Sequence, residues 1–421
     1  MPRTFSALPR LATLLLAPAI LAGSVASISD AAEVHFLGPV PYAYVVDISA
    51  DGHIAVGYDQ SKVWFWTKDS WVVFVDGALA PGNGVGGHPN ITADGTQMTC
   101  STLQGKPQKS EATIYDIENL SYLESMGAVG PNCDIERSGP WGMSRDGRYV
   151  CGLNWNGCSD ARGFVHDRQT GQERRMLSSY FYKPTRANAV SDDGSVIAGW
   201  ADDYTGWRQG SVWRRNAAGD YVQTLMYRGV ATAKCSEASV VSGNGQWVFG
   251  RGRDGFDGGA PYRWSVATGY QAMIPAPAGL GAVTDSNVDG TMALVVYGMS
   301  ATYLWFADRG YVPLSQWSAE NGFQLPTNWT YFGLTMSDDG RFIGGSAMRD
   351  DGVPSPFVLD LSPGTPPCPA DFDDDGSVGA ADLSLLLAGW DTVDPSLDLN
   401  GDGVIGAADL SLLLAAWGAC P

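Results

Sequence analysis

Two observations predict the fold class of this 421-residue chain, an all-β repeat domain followed by a small all-α domain. Between about residues 34 and 361, a Ser/Thr-x-Asp/Asn-Gly unit occurs seven times, once with Asn in place of Ser/Thr, and an alternating apolar run follows it. Near the C-terminus a 13-residue segment is written twice, and each copy has the leucine spacing of an amphipathic helix. The first pattern favours β-hairpins, and the second favours two short helices.

The N-terminal residues have the pattern of an export signal. Arg3 and Arg10 precede an apolar stretch from Leu11 to Ala22, and small residues follow before Ala31. This order is typical of a secretory signal peptide, which we predict over residues 1–31. The apolar stretch is shorter than the roughly 20 residues that a membrane span needs, so we expect a secreted or cell-surface protein without membrane insertion.

The repeated unit predicts a tight turn between two strands. Asp-Gly and Asn-Gly tolerate positive φ, and a Ser or Thr hydroxyl two residues earlier can bond a turn amide. The aspartates of this unit are therefore predicted to be turn residues and not catalytic carboxylates. The seven copies are Ser49–Gly52, Thr92–Gly95, Ser144–Gly147, Ser191–Gly194, Ser242–Gly245, Asn287–Gly290 and Ser337–Gly340.

The spacing of the turns predicts how the strands assemble. Each turn is followed by a strand, a variable loop and an aromatic-rich strand, which suggests four antiparallel strands per unit. Seven such units predict a seven-bladed β-propeller over residues 32–361. The last unit stops after Phe357–Asp360, and the run Val34–Leu37 precedes the first unit, so we expect Val34–Leu37 to supply the missing strand of blade seven.

These units resemble HAF-type extracellular repeats, which share the turn, strand, loop and aromatic-strand order. The resemblance implies a scaffold and no particular chemistry. The tryptophans within strands are expected to fill blade cores; they are Trp64, Trp66, Trp213, Trp264 and Trp305.

The loops between second and third strands are the predicted binding face, if the innermost strand of each blade precedes its turn. Aromatic rings beside arginines suit stacking on sugar rings, which makes a glycan a possible ligand. The alternative is that these rings cap the blade cores. The candidate ligand-binding residues are Trp155, Tyr204, Trp207, Arg208, Arg253 and Trp329.

After a Pro-rich linker at residues 362–367, residues 368–421 contain two acidic loops that fit a 12-residue calcium site. In such a loop, positions 1, 3, 5 and 12 supply side-chain oxygens, position 6 turns sharply, and position 7 supplies its carbonyl. The predicted ligands of two Ca²⁺ ions are Asp371, Asp373, Asp375, Ser377 and Asp382 in the first loop and Asp398, Asn400, Asp402, Val404 and Asp409 in the second.

Each loop is followed by one predicted amphipathic helix, and no helix pattern precedes it. The loops are therefore half EF-hands whose apolar stripes should pack together. The two stripes are Leu383, Leu386, Leu387 and Trp390, and Leu410, Leu413, Leu414 and Trp417.

This arrangement resembles a type I-like dockerin, the calcium-dependent module that docks secreted proteins onto cohesins. The ending Trp417–Pro421 is similar to the GC-type dockerins of planctomycete-like secreted proteins. The resemblance implies a cohesin-like or other surface docking partner. Loop positions 10 and 11, where cellulosomal dockerins carry much of their partner choice, are Ala-Ala in both copies, which disfavours a standard cellulosomal cohesin.

Charge and cysteines limit the partners and the compartment. Residues 368–421 hold ten Asp and no Glu, Lys or Arg, so they carry −10 of the net −19. Nucleic acid and anionic membrane need basic surfaces and are not expected as partners. In an oxidising compartment, disulfides between Cys368 and Cys420 and between Cys151 and Cys158 are expected, and the partners of Cys100, Cys133 and Cys235 stay open.

Catalytic signatures are absent from the sequence: there is no Gly-x-Ser-x-Gly or His-Glu-x-x-His motif, and the four histidines stand apart. The favoured hypothesis is a non-catalytic, ligand-binding propeller displayed through a calcium-binding module. Two alternatives stay open, a polysaccharide-degrading enzyme of hydrolase or lyase type and a purely structural surface protein. An enzyme should bring two or three carboxylates into one pocket, and a binding protein should show an aromatic-lined rim.

Overall fold

A computed structural model describes most of the chain as two compact units. One unit spans Ala32–Pro363 and the other includes Gly364–Pro421. The predicted signal peptide and linker lie outside the described residues. These are 32–38, 43–68, 71–81, 87–103, 110–126, 137–155, 161–180, 182–228, 233–251, 260–273, 277, 279–298, 301–352, 354–361, 369–373, 376–394 and 396–419.

The described part of the first unit forms seven four-stranded antiparallel sheets, which are the blades of a seven-bladed β-propeller. The first strand, β1 (Glu33–Phe36), belongs to blade 7. Blade 1 contains β2 (Tyr44–Ile48), β3 (Ile54–Tyr58), β4 (Val63–Thr67) and β5 (Val73–Phe74); blade 2 contains β6 (Ala78–Leu79), β7 (Gln97–Thr102), β8 (Glu111–Asp116) and β9 (Ser121–Ser125); blade 3 contains β10 (Arg137–Met143), β11 (Tyr149–Trp155), β12 (Ala161–Asp167) and β13 (Gln172–Met176).

The later blades repeat this order. Blade 4 contains β14 (Thr185–Val190), β15 (Val196–Asp202), β16 (Arg208–Arg215) and β17 (Tyr221–Leu225); blade 5 contains β18 (Ala238–Val241), β19 (Trp247–Gly250), β20 (Tyr262–Ser265) and β21 (Gly269–Ala272); blade 6 contains β22 (Gly281–Ser286), β23 (Met292–Tyr297), β24 (Ala301–Phe306) and β25 (Gly310–Pro313), followed by α1 (Leu314–Glu320); blade 7 contains β26 (Trp329–Met336), β27 (Phe342–Arg349) and β28 (Pro354–Asp360).

The repeated turn has the predicted chemistry. In blade 4 the Ser191 hydroxyl donates to Asp193 Oδ1 at 2.8 Å and accepts the Val196 N–H at 3.0 Å, while Gly194 has φ of +66°. Equivalent bonds recur at the turns of blades 1, 2, 3, 5 and 7. In blade 6, Asn287 Oδ1 accepts the Met292 N–H at 2.9 Å instead. The recurring acidic residues therefore hold turns.

The ring closes as predicted, because β1 supplies the fourth strand of blade 7. It pairs antiparallel with β28, with Val34 opposite Leu359 and Phe36 opposite Phe357. The Phe36 ring also stacks on Trp329, with centroids 4.1 Å apart. The strand that precedes blade 1 in the chain is thereby fixed to the last blade.

The predicted core tryptophans are buried, which confirms their assignment. A predicted disulfide is wrong, however, because Cys151 carries a free thiol and Cys158 lies outside the described residues. The Cys151 side chain, on β11, packs among Val165, Met176 and Ala187 between blades 3 and 4. Burial raises the pKa of this thiol well above its ordinary value. Cys368 and Cys420 lie outside the described residues.

The C-terminal unit contains a two-stranded sheet and two helices. Strand β29 (Ser377–Val378) pairs with β30 (Gly418–Ala419), and the helices are α2 (Ala380–Ala388) and α3 (Ala407–Ala415). The helices follow the acidic loops as predicted. With nine residues each, they are the longest of the described helices, and none of the described helices could cross a membrane.

The core of the C-terminal unit differs in part from the predicted stripes. Leu386 and Leu413 are buried, and Leu383 and Leu410 are partly buried. In contrast, Leu387 is 51% exposed and Leu414 52% exposed, and the Trp390 and Trp417 rings are also exposed. Val378 and Ile405, at position 8 of each loop, complete the buried core together with Ala370. These loop residues occupy space that the helix stripes alone were expected to fill.

Candidate functional site

The first acidic loop brings three carboxylates together. Oxygens of Asp371, Asp373 and Asp382 all lie within 4.8 Å of one another. Among the described residues, this is the only such cluster of three or more His, Cys, Asp or Glu ligand atoms. Gly376 has φ of +85°, the conformation that position 6 of a calcium loop requires. Ser377 begins β29, and Asp375 lies outside the described residues.

Asp382 is buried at the start of α2 and is held in its ionised form. Its two oxygens accept the N–H groups of Phe372 at 2.6 Å and Gly379 at 2.7 Å. Burial by itself would raise the pKa of Asp382, but the backbone donors outweigh this effect and lower it below its ordinary value. The Asp382 carboxylate is therefore fixed in position with its negative charge retained.

The second loop has the same frame. Buried Asp409 accepts the Gly406 N–H at 2.7 Å and the Asn400 N–H at 3.1 Å, and the Gly406 bond lowers its pKa. Gly403 has φ of +90°, and its N–H donates to Asp398 Oδ2 at 2.8 Å. Asn400 Nδ2 donates to Asp402 Oδ2 at 2.9 Å. The all-oxygen donor set and the positive-φ glycines of both loops fit Ca²⁺.

The predicted ligand-binding residues of the propeller fall into two groups. Tyr204 and Trp207, 74% and 59% exposed, lie on the turn between β15 and β16 beside Arg208. Trp207 and Arg208, together with Lys234, line a cavity of about 230 Å³. Trp155 and Trp329 lie in blades 3 and 7, are only partly exposed, and do not join this group. The stacking of Trp329 on Phe36 agrees with the alternative that this ring caps a blade core. Arg253 lies outside the described residues.

The inner strands surround a larger axial cavity of about 630 Å³. Six of them carry a β-bulge three residues before the first residue of the turn, and bulges re-aim side chains. The bulged residues all line the cavity; they are Val46, Trp141, Asn188, Ser239, Thr284 and Leu334. The inner position of the strand that precedes the turn is thereby confirmed in these six blades.

One end of this cavity, termed the arginine end, is lined by Arg186, Arg251 and Glu237, and Arg208 adjoins it through its contact with Glu237. Arg186 pairs with Glu237 of the next blade, and their side chains are only 9% and 12% exposed. Asn188 bonds both members of the pair, because its side chain accepts from Arg186 Nε at 2.6 Å and donates to Glu237 Oε1 at 3.1 Å, and it also donates to the Ala238 carbonyl at 2.7 Å. The Arg208 guanidinium lies 3.5 Å from Glu237.

Aromatic rings support the arginines. The Arg186 guanidinium carbon lies 3.7 Å from the Trp141 ring centroid, and that of Arg208 lies 4.5 Å from the centroid of Trp200. His88 packs on Trp141 with centroids 4.6 Å apart. Burial, reinforced by the Arg186 charge, lowers the pKa of His88 to about 4, so this imidazole is neutral near pH 7.

Carboxylates lie at mid-depth in the cavity, and they join neighbouring blades. Asp47 Oδ2 accepts the Ile91 N–H of blade 2 at 2.9 Å, and Asp285 Oδ2 accepts the Met336 N–H of blade 7 at 2.9 Å. Burial and the Asp285 charge raise the pKa of Asp47 to about 7. Burial raises the pKa of Asp285 to about 6.

The opposite end of the cavity is crossed by an ion pair. Arg145 of blade 3 pairs through both guanidinium nitrogens with Asp338 of blade 7. Asp338 also accepts the Val288 N–H at 2.9 Å, and Asp192 accepts the Arg145 N–H at 3.3 Å. Carboxylates thus converge in this pocket, but each is engaged by an arginine or by backbone amides.

Sequence reasoning missed the cavity residues, although a signal for them exists. Arg186 and Asn188, five and three residues before their turn, interrupt an otherwise apolar inner strand, and Glu237 directly precedes the inner strand of blade 5. Alignment of the seven units would have singled out these positions.

The blades and the axial cavity define the class of the first unit, a seven-bladed β-propeller. No protein-family model and no curated protein matches the chain. An oligogalacturonate lyase from Vibrio parahaemolyticus superimposes with a TM-score of 0.51 and 13% identity over 78% of this chain and 93% of that one.

Two further structures are similar. An oligogalacturonate lyase in complex with manganese has a TM-score of 0.50 and 14% identity, again over 78% and 93% of the two chains. The β-propeller domain of the Trilobed protease from Pyrococcus furiosus has a TM-score of 0.49 and 12% identity, over 77% of this chain and all of that domain (100%). At such low identity, the similarity to the two lyases shows the fold alone.

Proposed function

We propose that this chain is an exported, non-catalytic ligand-binding propeller that carries a dockerin-like module stabilised by two Ca²⁺ ions. The observation that carries the proposal is the convergence of the Asp371, Asp373 and Asp382 oxygens within 4.8 Å, next to a position-6 glycine of positive φ. The second loop repeats the frame through Asp398, Asn400, Asp402, Val404 and Asp409.

Calcium would supply the positive charge that the module itself lacks. Ten aspartates within residues 368–421 repel one another, and the buried core is small. Two Ca²⁺ ions would lower the formal charge of this segment from −10 to −6. Folding of the module is therefore expected to be coupled to metal binding.

Docking through this module is supported by its exposed apolar side chains. The duplication places equivalent residues on both helices: Leu385, Leu387 and Trp390 on and just after α2, and Leu412, Leu414 and Trp417 on and just after α3. Exposed apolar clusters of this kind mark surfaces that bind other proteins. A cohesin-like surface protein is the proposed partner, and the pattern of residues 1–31 supports export to the same compartment.

The state of the carboxylates favours a ligand-binding propeller over the polysaccharide-degrading alternative. Asp47 and Asp285 use their oxygens to join adjacent blades, and Asp338 is neutralised by Arg145. A catalytic pair would need oxygens that are free to reach a substrate. The exposed Tyr204 and Trp207 rings instead fit the rim expected of a binding protein.

The test is a calorimetric titration of Ca²⁺ into the full chain, with circular dichroism recorded alongside. We expect two bound ions in the wild type and one in each of Asp371→Ala and Asp398→Ala. Asp394→Ala removes an exposed carboxylate outside both loops and should keep two ions. The proposal falls if the wild type binds no calcium, or if Asp394→Ala lowers the stoichiometry as the loop variants do.

A further inference from the structure

The arginine end of the axial cavity is a positive site on a strongly acidic protein. Arg186 and Arg208 share the single carboxylate of Glu237 there, and Arg251 lines the same end of the cavity, whereas the whole chain carries −19. Burial lowers the pKa of Arg186, and the like charges of Arg208 and Arg251 add to this effect while Glu237 opposes it. The Arg186 guanidinium is therefore close enough to both other arginines to be repelled by them, and a ligand anion would relieve that repulsion.

The buried arginine of this end is held by several contacts. Arg186 is fixed by Glu237, Asn188 and the face of Trp141. Arg251 is exposed at the cavity wall, and the Arg208 side chain is about half exposed. A guanidinium presents a planar fork of donors that matches a carboxylate. The site thus combines a fixed inner arginine with two outer arginines that a ligand can reach.

An unsatisfied donor and an aromatic rim add to the site. The buried Trp141 Nε1 has no hydrogen-bond partner in the described structure. Beyond Arg208 lie the exposed rings of Trp207 and Tyr204 on the same turn. Such rings pack well against the apolar faces of sugars. The path from Trp207 through Arg208 to Glu237 leads from the rim into the cavity.

We propose that the arginine end binds an acidic oligosaccharide, with ring carboxylates received by Arg251, Arg208 and Arg186 and a neighbouring sugar ring packed on Trp207. This inference rests on the ligand-binding role proposed above and specifies its ligand class. A cavity of about 630 Å³ is large enough for an extended ligand with the volume of several sugar rings. A small inorganic anion would use the arginines but would leave the aromatic rim without a role.

The probe is a galacturonate hexamer, titrated into the full-length, calcium-loaded protein by calorimetry. The same hexamer with its carboxylates methyl-esterified keeps the sugar rings and removes the charge. Sodium acetate tests the carboxylate without the sugar. We expect the acidic hexamer to bind at least about tenfold more tightly than the ester, because charge-assisted hydrogen bonds are lost in the ester.

Three variants locate the site. Arg251→Gln and Trp207→Ala change exposed side chains and should each weaken hexamer binding, the first by about tenfold. Arg186→Gln should abolish binding, and its circular dichroism shows whether the loss is due to misfolding. Arg214→Gln removes an exposed arginine at the other end of β16 and should leave affinity within about twofold.

Each outcome decides the proposal. It is overturned if no probe binds, if the ester binds as well as the acid, if acetate competes at equal carboxylate concentration, or if Arg214→Gln weakens binding as much as Arg251→Gln. Calcium removal separates this proposal from the docking module, since hexamer binding should persist in chelator while the C-terminal helices unfold. Equal binding of acid and ester would retain a sugar-binding propeller and reject only the acidic ligand.

Discussion

The closing strand of the propeller offers a stability prediction that can be worked from the structure. Phe36 on β1 stacks on Trp329 with centroids 4.1 Å apart and 20° between planes, and its ring also lies 6.4 Å from that of Tyr331. The side chain is partly buried in the blade 7 core. Phe36→Ala removes these contacts but leaves the backbone pairing with Phe357.

The expected loss of stability in Phe36→Ala follows from the burial and stacking of the ring. Truncation of a fully buried Phe costs about 3–5 kcal/mol, and an aromatic pair contributes about 0.5–1.5 kcal/mol beyond burial. Because Phe36 is only partly buried, we expect its truncation to lower the free energy of unfolding of the propeller by about 2–3 kcal/mol.

Equilibrium urea unfolding followed by tryptophan fluorescence measures this change, and calorimetry separates the propeller transition from that of the C-terminal unit. The control is Leu123→Ala, which truncates an exposed apolar side chain on β9, away from blade 7. We expect this control to change stability by less than about 0.5 kcal/mol. Equal stabilities of the two variants would refute the view that β1 closes the ring energetically.

Three further predictions concern turns, calcium and pH. Ser191→Ala should lower the free energy of unfolding by about 1–3 kcal/mol, because it leaves the Val196 N–H without its acceptor. The control is Ser384→Ala on the exposed side of α2, which should not affect the unfolding transition of the propeller. Gly403→Ala should lower the calcium affinity of the second loop by about five- to thirtyfold and leave that of the first loop unchanged. The reason is that a φ of +90° costs a residue with a Cβ about 1–2 kcal/mol. The free energy of unfolding of the propeller should fall as the pH rises from 5 to 8. Folding raises the pKa of Asp47 from 3.8 to about 7, so the folded state holds a proton that the unfolded state has already lost. This contribution to stability disappears as the pH passes through about 7. Calorimetry across this pH range should show a flatter profile for Asp47→Asn; a wild-type profile that rises towards pH 8 would contradict this reasoning.

Features set by neighbouring residues could be predicted well. The Ser191 hydroxyl, Asp193 and the Val196 amide lie within six residues of one another, so the turn is determined locally. Repetition of that turn gave the number of blades. The unpaired apolar run before blade 1 was enough to predict the closing strand, because the last unit lacked one.

Features that depend on packing between blades were not predicted. Arg186 and Glu237 are far apart in sequence, and only the ring places them at the same level of the cavity. The β-bulge at Asn188 re-aims its side chain towards the axis, which no alternation pattern reveals. Cys151 was expected to pair with Cys158, a near neighbour in sequence, yet it packs between blades 3 and 4.

The sequence by itself determined the turns, the blade count, the two acidic loops and the helices after them, because each depends on bonds or spacings within a short segment. Only the tertiary structure decided which side chains meet along the axis, which leucines of α2 and α3 stay exposed, and which aromatic rings cap a blade or face solvent. Those outcomes depend on how separate segments share the same space, and a linear pattern does not contain that geometry.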